Sequence, residues 1–223
     1  SACSGDDTGK LGGFAGPTVI LDSGFNTLAD SIGKWQVTNQ DGTNTISQER
    51  TDCDRYPGKL VQSYELDDFI LHLNLIFASD RTALIETTVE NKTDQALELQ
   101  LKQVEACEWG LQAIEDGVSI AVREPTHYDI RFGRPVEITA DGTSYEAALD
   151  LTVPASSESI YQTQSYTFDA EEAEAEESKV ADMLQNSASY FEENQARWDG
   201  TSRKSRSADV EQRYKNAATK AVI

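Results

Sequence analysis

Phe69-Ile70-Leu71-His72-Leu73-Asn74-Leu75-Ile76-Phe77 is the stretch that decides the fold. Phe69, Leu71, Leu73, Leu75 and Phe77 alternate with Ile70, His72, Asn74 and Ile76. A period of two turns one face of an extended strand toward a core and the other away from it. The polar tripeptide Ser79-Asp80-Arg81 closes the run, and the alternation restarts. Ala83, Ile85, Thr87 and Val89 interleave with Leu84, Glu86, Thr88 and Glu90. After Asn91-Lys92-Thr93-Asp94 it starts again, with Leu97, Leu99 and Leu101 against Glu98, Gln100 and Lys102. Alternating runs joined by short polar connections predict antiparallel hairpins.

Working outward, Asp41-Gly42, Asp116-Gly117 and Asp141-Gly142 are further turn signals. Strands are expected at 118–122, 127–132, 144–153 and 158–168. Residues 17–168 therefore read as an antiparallel β-sandwich. At Asp169 the pattern changes. Between 169 and 199 ten acidic residues stand against two basic ones, with no Gly or Pro. Val180, Met183, Leu184, Phe191 and Trp198 fall near one helical stripe. Asp169 suits an N-cap, and acids in the first turn suit the helix dipole. The spacing predicts one long helix over 169–200, its acidic run a solvated face, stopping at Asp199-Gly200. Thr201–Ser207 reads as a polar linker. From Val210 to Val222 a second helical pattern follows, which reaches Val222-Ile223 without a stop signal.

Composition limits the function. The chain has 223 residues, 38% hydrophobic and 26% charged, enough for a real core. Its net charge of −20 opposes phosphate backbones, so nucleic acid is not an expected partner. No apolar run of the ~18 residues needed to span a bilayer is present. Two His and three Cys argue against a His-rich or Cys-rich metal centre. No cofactor is expected either: Gly12-Gly13 and Gly16 follow no strand that would make a phosphate loop.

Ser1-Ala2-Cys3 has the small-small-Cys form left at a lipoprotein processing site, so Cys3 is the expected lipidation residue. Residues 1–16, with Asp6-Asp7, then form a polar tether. A membrane would be met only through that anchor, and the expected location is a bacterial cell envelope, periplasmic or on the outer-membrane surface. Cys53 and Cys107 leave a disulfide open. Trp35 and Trp109 are the candidate glycan contacts, because aromatic faces stack on sugar CH groups. Trp198 fits its helix stripe and reads as core or interface. Asp52 and Asp54, in an expected loop, lack the spacing of a calcium loop. Asp67-Asp68 reads as a solvated turn, His72 as a structural residue, and His127 lacks a triad partner nearby. Ala155–Ser159 lacks Gly-x-Ser-x-Gly. No catalytic residue is expected in this chain.

Three strings resemble glycoside hydrolase family 63, nearest its bacterial α-glucosidase branch. Leu73-Asn74-Leu75-Ile76-Phe77-Ala78-Ser79-Asp80-Arg81-Thr82-Ala83-Leu84-Ile85-Glu86-Thr87 resembles a strand-turn-strand of the N-terminal sandwich. Tyr190-Phe191-Glu192-Glu193-Asn194-Gln195-Ala196-Arg197-Trp198-Asp199-Gly200 resembles the linker helix. Gln212-Arg213-Tyr214-Lys215-Asn216-Ala217-Ala218-Thr219-Lys220-Ala221-Val222 resembles the first helix of the catalytic barrel. The resemblance implies that 201–223 begins an (α/α)₆ barrel of which the rest is absent. It implies an inverting α-glucosidase as the parent protein, with both acids beyond Ile223 and a carbohydrate substrate. The present chain is then a non-catalytic domain that shapes and stabilises the barrel. The alternative is a stand-alone surface glycan-binding lipoprotein of sandwich fold.

Overall fold

The computed structural model describes residues 10–14, 18–21, 24–27, 32–39, 49–56, 58–107, 109–123 and 126–207. Fifteen strands occur among them: β1 (Lys10–Phe14), β2 (Thr18–Leu21), β3 (Gly24–Thr27), β4 (Ile32–Asn39), β5 (Glu49–Tyr56), β6 (Lys59–Glu65), β7 (Phe69–Phe77), β8 (Thr82–Asn91), β9 (Leu97–Ala106), β10 (Gly110–Ile114), β11 (Gly117–Arg123), β12 (Thr126–Phe132), β13 (Glu137–Ala140), β14 (Ser144–Val153) and β15 (Ser157–Thr167). Helices α1 (Ala170–Gln185) and α2 (Ser187–Ser207) follow. A five-stranded sheet, β1-β4-β9-β14-β13, faces an eight-stranded sheet, β10-β11-β12-β15-β8-β7-β6-β5, and β2 pairs with β3 alone. All pairings are antiparallel. The molecule is mainly β, a sandwich followed by helices, as the alternation predicts.

The core sits between the two sheets. Phe69, Leu71 and Leu73 are at most 1% exposed, so the odd-numbered face of β7 is the inner one. Trp35 of β4 meets Phe132 of β12 across the layers, with ring centroids 6.5 Å apart. Polar side chains also cross this interior and must be paired there. Gln103 Nε2 donates to Gln162 Oε1 at 2.9 Å, and Gln62 Nε2 donates to the Gly13 carbonyl at 2.8 Å.

The outer faces differ. The five-stranded sheet turns polar pairs outward, such as Lys102 with Glu146 at 3.2 Å and Gln100 with Asp150 at 3.1 Å. On the eight-stranded sheet the outer positions Ile76 and Leu84 are apolar and buried. They stand directly opposite each other in the β7–β8 register. A second apolar layer is therefore required, and the helices supply it. Helix α1 lies against β15 and β12 and buries Val180 and Met183.

Four boundaries depart from the sequence reading. Lys10–Phe14, expected in the tether, is a strand of the five-stranded sheet, with Leu11 1% exposed. The expected single helix is two: Asn186 caps α1, its N–H bonding to the Asp182 carbonyl at 2.8 Å. Ser187 Oγ then donates to the Met183 carbonyl at 2.7 Å. Its hydroxyl takes up a carbonyl that a continuing helix would have used, and the chain restarts as α2. Helix α2 also passes Gly200 and runs to Ser207, through the expected linker. Asp52, Cys53 and Asp54 lie in β5 rather than in a loop. The expected helix at 208–223 lies outside the described residues.

Candidate functional site

The most elaborated surface is the helix-covered face of the eight-stranded sheet. Its anchor is the β7–β8 turn. Ser79 Oγ accepts from the N–H groups of Arg81 and Thr82, at 3.1 and 3.0 Å, and so holds the turn shut. The same hydroxyl donates to Glu176 of α1. Glu176 is 3% exposed. Its carboxylate also accepts from Thr82 Oγ1 at 2.7 Å and from Lys179 Nζ at 2.8 Å. Burial pushes this carboxyl up, but the bonds from Lys179, Ser79 and Thr82 together outweigh it and leave it below its ordinary value.

One turn earlier in α1, Arg81 reaches Glu172 at 2.7 Å, and its guanidinium lies 4.7 Å from the Phe168 ring centroid. Glu172 also accepts from the Phe168 N–H at 2.9 Å, while Asp169 caps the helix by accepting from the Glu172 N–H at 2.9 Å. Arg81 first, and the Phe168 N–H second, hold the Glu172 carboxyl below its ordinary value. Asp169 is the expected cap, but the acidic run is more than a solvated face. Glu172 and Glu176 are instead the pins that fix the helix to the sandwich. Their i, i+4 spacing beside a turn that carries Ser79 and Arg81 was the available signal.

Helix α2 crosses toward the far edge of the same sheet. Phe191 packs 6.3 Å from the Tyr161 ring of β15. Asn194 Nδ2 donates to the Gly58 carbonyl at 3.3 Å. Trp198 lies on Gly58: a Cβ added there would stand 1.6 Å from the indole nitrogen. Gly58 has φ +72°, so both its backbone and its missing side chain are needed. Trp198 is thus an interface residue between α2 and the β5–β6 turn.

A cleft of about 210 Å³ opens between α1 and the sheet. Asp129, Arg131 and Thr167 line it from the sheet, and Glu174 and Glu177 from the helix. Asp129 Oδ1 and Thr167 Oγ1 are buried and have no hydrogen-bond partner among the described residues. Arg131 is engaged by Asp116 at 2.7 Å and by Glu177 at 3.6 Å.

The structure separates the two candidate glycan contacts. Trp35 is 1% exposed and its Nε1 donates to Thr87 Oγ1 at 3.1 Å. It is a core residue between the sheets and offers no face to a sugar. Its place in a strand whose Val37 is also buried sets this orientation. Trp109 is partly buried against the core, and its backbone N–H donates to the buried Cys107 Sγ at 3.4 Å. The two Trp do not form one platform: Trp35 lies between the layers, and Trp109 lies in the β9–β10 connection. His72 is on the outer face of β7, 2.9 Å from Ser63 Oγ and 3.2 Å from Glu90. His127 stands in β12 opposite Thr167. Cys3 lies outside the described residues.

The fold and this face define a helix-capped antiparallel sandwich, a domain that presents a docked helical layer. The family described as "Glucosidase YgjK, N-terminal" matches residues 4–120 and 105–199, and the chain belongs to it. Among solved structures, one titled "Putative kojibiose phosphorylase from human microbiome" is similar at 10% identity and TM-score 0.56. The match covers 78% of this chain and 28% of that one, so the present chain spans under a third of that relative. The similarity shows a shared fold. Heparan sulfate lyase HepC from Pedobacter heparinus matches at 9% identity and TM-score 0.43, over 60% of this chain and 24% of that one. Heparinase III matches at 10% identity and TM-score 0.42, over 60% and 23%.

Proposed function

We propose that this chain is the non-catalytic N-terminal part of a family 63 α-glucosidase. In the longer protein the sandwich, with its helical layer, packs on and stabilises a catalytic (α/α)₆ barrel that follows α2. The single observation that carries the reading is the match to the glucosidase N-terminal family across most of the chain. The helical layer supports it, because α1 and α2 are pinned to the sandwich and give a following domain a rigid base. Hydrolysis in the longer protein would invert configuration. One carboxylic acid would protonate the leaving oxygen while a carboxylate activates water across the ring. Both acids would come from the barrel, and the substrate would be an α-glucoside.

The test is a pair of assays on α-glucosyl disaccharides. The 223-residue chain should release no glucose. The chain extended through its gene should release it, with β-glucose as the first anomer seen by NMR. Turnover by the short chain, or a stop codon directly after Ile223, would sink the reading. Envelope anchoring through Cys3 is part of the same proposal, motivated by Ser1-Ala2-Cys3. Cys3→Ala in the precursor should move the protein to the soluble fraction; unchanged membrane fractionation would remove the anchor.

A further inference from the structure

We propose that the cleft between α1 and the eight-stranded sheet is a binding site for an organic cation, a guanidinium or primary ammonium group, received by Asp129 and Thr167. The site does not depend on the glucosidase reading; only the source of the cation draws on it.

Three observations lead there. The first is unmet acceptor capacity. Thr167 is 3% exposed and its Oγ1 has no partner among the described residues; Asp129 Oδ1 is buried and equally unpaired. A buried carboxylate oxygen without a donor is costly, so a donor is expected at Asp129, and the Thr167 hydroxyl beside it can accept from the same group. The second is charge. The lining holds four carboxylates, from Asp129, Glu174, Glu176 and Glu177, and one guanidinium. Arg131 is already committed to Asp116 and Glu177, and Glu176 to Ser79, Thr82 and Lys179. Asp129 and Glu174 remain for a ligand. The third is size. The volume of about 210 Å³ far exceeds the ~10–15 Å³ that one bridging water needs.

The chemistry of the lining selects the ligand. No group of three or more His, Cys, Asp or Glu among the described residues is placed to hold a metal ion. The carboxylates are spread across the cleft, which suits a cation whose N–H donors point in several directions. A sugar would want an aromatic plate, and the lining has none; Ala173 and Val180 are its apolar members. A planar guanidinium can donate to Asp129 and Thr167 on one edge and to Glu174 on the other. The cation can come from a Lys or Arg side chain elsewhere in the longer protein or from a free amine.

Two-dimensional amide NMR of the 223-residue chain tests this, with guanidinium chloride and methylammonium chloride at millimolar concentrations against sodium chloride of equal strength. Saturable shifts confined to Asp129, Thr167 and Glu174 are expected. Asp129→Asn should weaken binding at least fivefold. Glu174→Gln is an exposed change that leaves folding intact, and it should weaken binding about twofold to fivefold. No saturable shift, the same shifts with sodium chloride, or shifts with glucose alone would overturn the proposal. So would normal binding by both variants. Repeating the titration on the longer protein identifies the source. Lost guanidinium binding there supports a cationic side chain in place, and retained binding supports a free amine.

Discussion

Thr82 Oγ1, on the outer face of β8, donates to the Glu176 carboxylate of α1 at 2.7 Å, across 94 residues of sequence. Both side chains are almost fully buried, at 1% and 3% exposure. This bond, with its neighbours from Ser79 and Lys179, joins the helical layer to the sandwich.

Glu176→Ala should therefore loosen α1 from the sheet. It strips the partner from two hydroxyls and an ammonium, and the expected loss is about 2–3 kcal/mol. Urea unfolding followed by far-ultraviolet circular dichroism measures it. A loss within about 0.5 kcal/mol, as at ordinary surface sites, would show that the pin carries no load.

Acid should act through the same carboxylates. Glu172 and Glu176 sit below their ordinary values when folded. A depressed folded value adds stability above the unfolded pKa of about 4.3, and the gain is lost as pH falls through the folded values. Asp141 behaves likewise, held at about 2 by the N–H groups of Thr143 and Ser144. Melting temperature should fall from about pH 4.5 downward, and Glu176→Gln should flatten the slope. An unchanged slope in that variant would refute the assignment to Glu176.

Trp35→Phe should keep the aromatic contact with Phe132 and strand the Thr87 hydroxyl, which is 2% exposed. The expected cost is about 1–2 kcal/mol, and Trp35→Ala should cost about 3–5 kcal/mol. Glycan affinity, measured by calorimetry on either variant, should not respond once folding is corrected for. A selective loss of affinity would restore Trp35 as a sugar contact.

Gly58 and Gly142 make a matched pair. Both have positive φ, +72° and +91°, but a Cβ at Gly142 meets nothing within 4 Å, whereas at Gly58 it meets the Trp198 indole. Gly142→Ala should cost only backbone strain, about 1–2 kcal/mol. Gly58→Ala should cost more and shift the Trp fluorescence, because Trp198 must leave its seat. Equal costs with unchanged emission would mean that Trp198 does not need that seat.

Much of the sandwich was legible in the sequence. Expected strands at 118–122, 127–132, 144–153 and 158–168 are found at 117–123, 126–132, 144–153 and 157–167. Alternation works best where one face is apolar throughout, as with Tyr145, Ala147, Leu149, Leu151 and Val153 in β14. It gave no clear signal where polar side chains occupy the inner face. Gln62 and Tyr64 point inward in β6: Gln62 is paired across the interior with the Gly13 carbonyl and accepts from the Tyr64 hydroxyl beside it. The helical layer was half visible. Its apolar stripe shows in the spacing, whereas the buried outer-face positions Ile76 and Leu84 break the alternation of β7 and β8 without saying what covers them. The break between α1 and α2 at Asn186 goes with the Ser187 hydroxyl reaching back to the Met183 carbonyl, a choice that spacing does not reveal. The glycan role expected of Trp35 rests on residue type, and type alone cannot say which way a strand faces. The acidic cleft could not be anticipated, since it needs Asp129 and Glu174 brought together from separate elements.

The amide pair between Gln103 and Gln162 has a consequence for how the two layers find each other. Purely apolar faces could slide by two residues and still bury similar surface. An amide pair is directional, and Tyr145 completes it by donating to Gln103 at 3.3 Å. Any slipped stacking would leave these groups dry and unmatched, at about 1–3 kcal/mol for each. The pair works as an index mark: it adds little grip, but it permits one alignment of the sheets and rejects the neighbouring ones.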